Sequence, residues 1–149
     1  ASDVYKRQDE RFDERRVGLP NDGEVTDWYV RQYEDENYKT IGGESQADVR
    51  NRMYEALQEV IEANKGKRIA IFSHGYAITF LLLKWCKLNN INNKHKLEIS
   101  FNGKTIFNKK LNSPEVFKLV LDENNKVENI ENIEFADLEY DDFDKKELE

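Results

Sequence analysis

The stretch Arg68-Ile-Ala-Ile-Phe-Ser-His74-Gly-Tyr-Ala-Ile-Thr-Phe-Leu-Leu-Leu-Lys-Trp85 is the most apolar part of a chain otherwise rich in charge, and it limits what the rest can fold into. Ile69 to Phe72 form a short continuous apolar run, the pattern of a strand buried on both faces of a parallel sheet. Gly75 marks a sharp turn, and a helix follows it. A strand that feeds directly into a helix leaves free backbone N–H groups and the positive end of the helix dipole at the strand's carboxyl end, where open α/β sheets bind anionic ligands. Ser73 and His74 lie at that mouth.

The chain has 149 residues, enough for one domain with a true core. Charged residues make up 36% of it, and the net charge of −7 argues against nucleic acid or an anionic membrane as general partners. Its single cysteine, Cys86, rules out an internal disulfide and a cysteine-based zinc set. A soluble, cytoplasmic protein is therefore expected. The apolar run from Tyr76 to Leu83 is too short to span a bilayer, and the amino terminus does not resemble a signal peptide.

Other elements follow from local signals. Residues 1–8 carry no apolar pattern and are expected to be non-native or disordered. Asp9 to Gly18 is dense in charge and reads as a loop or short edge strand, with Arg11, Arg15 and Arg16 as solvated loop residues. Thr26 is a potential cap for a helix with Trp28, Tyr29, Val30 and Tyr33 on its apolar face. Ser45-Gln-Ala-Asp48 has the form of a capping box. Val49, Met53, Ala56, Leu57, Val60 and Ile61 then recur on one helical face. That helix should end near Asn64 to Gly66, and the apolar helix after His74 should run to about Leu88. Asn102-Gly103 between Leu97–Phe101 and Thr105–Phe107 signals a hairpin, and Val116–Leu121 with Val127–Ile133 signals another. The acidic residues 136–149 read as a solvated tail.

Only two histidines are present. His95, in the polar run Asn92-Asn-Lys-His-Lys, reads as an exposed loop residue. His74 is fixed by strand and helix, and from position alone it is either a histidine packed at a sheet edge or a group that meets an anion. Arg52 reads as a helix-surface ion pair, and Glu44 and Ser45 are explained by helix capping and by the favourable placement of a carboxylate near the helix start.

The segment Ile-Phe-Ser-His74-Gly, preceded by a helix that starts Gly43-Glu-Ser-x-x-Asp-Val-x-x-Arg52, resembles the histidine phosphatase superfamily, the phosphoglycerate-mutase-like enzymes. A third similarity is Phe12-Asp-Glu14-Arg-Arg-Val-Gly18, a glutamate followed four residues later by glycine. The resemblance covers Asp9 to about Ile133. It implies a three-layer α/β sandwich with a mostly parallel central sheet flanked by helices, over residues 9–135. It also implies transfer of a phosphoryl group to a nucleophilic histidine in an Arg-His-Gly-x-Thr motif, and that motif does not occur in these residues.

By the same resemblance, Glu14 is the proton donor to the leaving oxygen, and His74 is the second histidine, which contacts the phosphoryl oxygens. Gly75 and Tyr76 would supply backbone amides to the substrate. No metal and no cofactor is implied, and the partner is a small phosphorylated substrate. The chain is then expected to be the carboxyl-terminal portion of such a domain, with the first strand and the nucleophile loop missing, and inactive by itself. The short stretch between Glu14 and Gly43 favours a phosphatase over a mutase. The main rival is a pseudo-phosphatase or interaction module with the same fold. An unrelated nucleotide-binding α/β domain is a weaker one, since neither a G-x-G-x-x-G nor a P-loop pattern occurs.

Overall fold

The computed structural model describes residues 7–20, 27–112 and 114–134. Within them lie a 3-10 turn, Glu10–Phe12, and helices α1 (Trp28–Glu34), α2 (Gln46–Ala63) and α3 (Gly75–Leu82). Strands β1 (Lys87–Ile91), β2 (Lys96–Phe101), β3 (Lys104–Lys110), β4 (Val116–Leu121) and β5 (Val127–Ile133) follow. Residues 1–6, Thr26 and the acidic tail lie outside the described residues.

α2 forms where its local signals place it. The Ser45 hydroxyl accepts from the Asp48 amide at 3.1 Å, and the Asp48 carboxylate accepts from the Ser45 amide at 3.0 Å. This reciprocal pair satisfies two of the donors a helix start leaves open. The helix stops at Asn64, and Gly66 takes a left-handed φ of +75° just beyond. Val49, Met53 and Leu57 of α2 share a buried cluster with Ala77, Phe80 and Leu82 of α3. Leu97 and Ile99 of β2, Phe107 of β3 and Ile130 of β5 complete the core. Both hairpins form as expected, with Asn102 (φ +49°) and Gly103 (φ +80°) in the left-handed conformation that a tight hairpin turn requires.

The expected parallel sheet is not there. β1, β2 and β3 form one antiparallel sheet in that order, and β4 and β5 form a second antiparallel pair. Loops of two to five residues join the paired strands, and connections that short permit only antiparallel pairing, since a parallel pair needs a crossover of a dozen residues or more. Residues 68–74 connect α2 to α3 without joining either sheet. The backbone of Ile69–Phe72 makes no hydrogen bond to another described residue, and Phe72 is 87% exposed. An apolar run becomes a buried strand only when neighbours pair with both its edges, and none of the described strands lies beside this one.

α3 is also shorter than expected. It ends at Leu82, turns through Leu83 to Trp85, and gives way to β1, a strand the sequence did not signal. No helix among the described residues is long and apolar enough to cross a membrane.

Candidate active site

The loop before Gly18 is anchored at both ends. The Asp9 carboxylate caps the 3-10 turn by accepting from the Arg11 amide at 2.9 Å, and its ion pair with Arg11 holds its carboxyl below the usual value. The next residues lie against the start of α3. Ser73 Oγ donates to the Phe12 carbonyl at 2.6 Å. Glu14 Oε1 accepts from the Ala77 amide at 2.9 Å and Oε2 from the Tyr76 amide at 3.3 Å. A carboxylate thus occupies the positive end of α3, where the dipole and the unpaired N–H groups favour negative charge.

His74 is the N-cap residue of that helix. Its backbone is extended (φ −119°, ψ 159°), and its carbonyl accepts from the Ile78 amide at 2.9 Å. Its side chain makes no capping bond and is open to solvent. The structure therefore brings His74, Tyr76 and Glu14 to one helix end, although Glu14 is some sixty residues away in sequence. Of the two expected amides, that of Tyr76 is engaged by Glu14, while that of Gly75 has no hydrogen bond to a described residue.

Arg52 is not a surface ion pair. Its Nε and Nη2 grip the two oxygens of Glu44 at 2.8 and 3.1 Å, while Nη1 donates to the Arg11 carbonyl at 2.6 Å and Nη2 to the Glu14 carbonyl at 3.2 Å. Glu44 is not the helix cap, which is Ser45; its Oε1 instead accepts from the Arg16 amide at 2.9 Å. Burial alone would push the Glu44 carboxyl up, but the bonds from Arg52 and the Arg16 amide outweigh it and hold the group below its ordinary value. Guanidinium and carboxylate together tie residues 11–16 to the start of α2. Gly18 lets the two loops close, because its φ is +72° and a Cβ there would meet the Ile41 carbonyl oxygen at 2.6 Å.

Arg15 is not solvated either. It is 7% exposed, with its guanidinium carbon 3.6 Å from the centre of the Tyr76 ring and 5.1 Å from that of Trp28. Burial lowers its pKa, partly offset by Tyr76 and Glu14, and its Nε has no hydrogen-bond partner among the described residues. Nothing in the order of charges singles this arginine out from Arg11 and Arg16; the aromatic rings that receive it come from α1 and α3.

Around this helix end the chain can present cationic and N–H groups to an anion, with a carboxyl group beside them. A scan against family models matches residues 3–109 to the histidine phosphatase superfamily, branch 1. No curated protein and no solved structure matches the chain. The match spans well over half of the sequence and includes the Glu14, Gly43-Glu-Ser and His74 motifs, so the chain belongs to the histidine phosphatase superfamily.

Proposed function

We propose that this chain supplies the second histidine and the acid of a phosphoric-monoester hydrolase that works through a phosphohistidine. The observation that carries the reading is the convergence of Glu14 and His74 on the amino end of α3. A transferring phosphoryl group spreads charge over its oxygens, which His74 and the Gly75 amide would stabilise. A dianionic phosphoryl group at the same helix end meets the Glu14 carboxylate as a like charge. In the acid role, Glu14 would deliver a proton to the leaving alkoxide. Arg52 holds the Glu14 backbone in place and acts as a positioning residue.

The group that accepts the phosphoryl in this chemistry, the histidine of an Arg-His-Gly-x-Thr motif, is not among these 149 residues. The chain by itself should release no phosphate from p-nitrophenyl phosphate. Turnover that disappears in His74→Ala would mean that His74 is itself the nucleophile.

In a polypeptide that also carries Arg-His-Gly-x-Thr, Glu14→Gln should slow hydrolysis of alkyl phosphates by roughly 10²–10⁴-fold and that of p-nitrophenyl phosphate little, because nitrophenolate leaves without a proton. His74→Ala should slow both. Equal losses for both substrates in Glu14→Gln would remove the glutamate from the acid role.

A further inference from the structure

A hollow of about 230 Å³ lies between α1, α3 and the β1–β2 hairpin, lined among others by Tyr29, Tyr33, Tyr76, His95, Leu97 and Lys110. We propose that it takes one flat ring bearing an anionic substituent, with benzoate as the simplest case. On the phosphatase reading above, it seats the organic part of the substrate.

The walls suit a ring. His95 stacks on Tyr29 with centroids 4.2 Å apart and planes at 13°, and the Tyr76 hydroxyl lies 3.0 Å from His95 Nδ1. His95 is carried by the β1–β2 hairpin turn, where its backbone is left-handed (φ +64°) and Asn92 Oδ1 accepts from the amides of Lys94 and Lys96. An apolar cavity of about 150 Å³ is enough for benzene, so the larger hollow here fits one substituted ring.

The charge suits an anion. The chain has 30 acidic residues, yet none lines the hollow, whereas Lys110 and His95 do. Lys110 stands directly across the β2–β3 ladder from Lys96, so two ammonium groups share one face of the sheet, where like charges repel. Neither forms an ion pair among the described residues. Tyr76 joins the hollow to the candidate active site, since its ring is a wall of the one and its amide belongs to the other.

The test is an NMR titration of the 149-residue chain with 4-hydroxybenzoate and, separately, with phenol; neither carries a phosphoryl group. Saturable shifts are expected at Tyr29 and His95, with phenol about fivefold weaker, the scale of one exposed ion pair. Lys110→Ala, at an exposed position, should weaken 4-hydroxybenzoate to the level of phenol and leave phenol unchanged. Tyr29→Leu should weaken both roughly fivefold through loss of the stacked ring. Equal affinity of the wild type for both probes, or shifts that avoid Tyr29 and His95, would overturn the proposal. A parallel titration with inorganic phosphate separates the two readings. If phosphate fails to bind while 4-hydroxybenzoate binds, the substrate assignment falls and the ring preference stands. If phosphate binds and 4-hydroxybenzoate does not, only the hollow's role falls.

Discussion

Two segments converge on the amino end of α3 and are held in opposite ways. Residues 11–16 are nearly all charged, yet Arg52, Glu44, Ser73 and the α3 amides fasten them, and Arg15 is buried between aromatic rings. Residues 69–72 are wholly apolar, yet their backbone has no hydrogen-bond partner among the described residues and Phe72 stands in solvent. Charge density did not keep the first segment in water, nor did apolarity bury the second. In each case the partner supplied by the rest of the chain decides, because a buried polar group needs a bond and a buried strand needs a ladder.

The largest effect expected on the first segment comes from Arg52→Ala. It leaves Glu44 without its cation and frees the carbonyls of Arg11 and Glu14, so stability measured by urea denaturation should fall by about 2–3 kcal/mol. Arg52→Lys, which keeps the charge and loses the fork, should lie between that variant and wild type. A loss under about 0.5 kcal/mol, the range of an ordinary surface change, would return Arg52 to the role of a surface ion pair.

The same clamp sets a pH dependence. Glu44 has a folded-state pKa below its ordinary 4.5, so its contribution is fully present above that value and is lost as the pH falls through the lower, folded one. Stability should therefore drop on acidification below about pH 4.5, and less steeply in Arg52→Ala. Identical acid profiles for the two proteins would contradict the coupling. Ser45→Ala, which breaks the capping box at the same end of α2, should cost about 1 kcal/mol.

For the second segment the smallest change in stability is expected. Phe72→Lys should shift it by no more than about 0.5 kcal/mol, since the side chain already faces water. It should nevertheless reduce self-association, because an unpaired apolar edge invites pairing with another chain. Sedimentation of wild type and variant side by side checks both halves. A strictly monomeric wild type would show that the exposed run has no such tendency.

The parts legible in the sequence were those written locally. The capping box of α2, Gly66 after its end and Asn102-Gly103 in its hairpin each act through bonds a few residues apart. β1 was not legible because Lys87-Leu-Asn-Asn-Ile91 has a single β-branched residue and two asparagines, and is a strand only by virtue of β2 beside it, with a bulge between Leu88 and Asn90. The expected parallel sheet failed for the converse reason, since Ile69–Phe72 has the composition of a strand and no neighbouring strand among the described residues. At the candidate site the motif residues Glu14 and His74 were visible, while Arg15, Arg52 and His95 were read as surface groups. Tyr76 and Tyr29, the partners of Arg15 and His95, lie more than sixty residues away, and Glu44 sits eight residues before Arg52 in the loop ahead of α2; no periodicity records such pairs.

The claim that Glu14 and His74 frame a phosphoryl-binding place at the amino end of α3 is tested most directly by titrating inorganic phosphate while following the His74 ring and the amides of Gly75, Tyr76 and Ala77 by NMR. Saturable shifts at all four are expected. His74→Ala should weaken binding roughly tenfold, the worth of one charge-assisted hydrogen bond, and Glu14→Gln should strengthen it by removing the competing carboxylate. A His74 ring that stays unperturbed at saturating phosphate, or a Glu14→Gln variant that binds phosphate no better than wild type, would contradict the account.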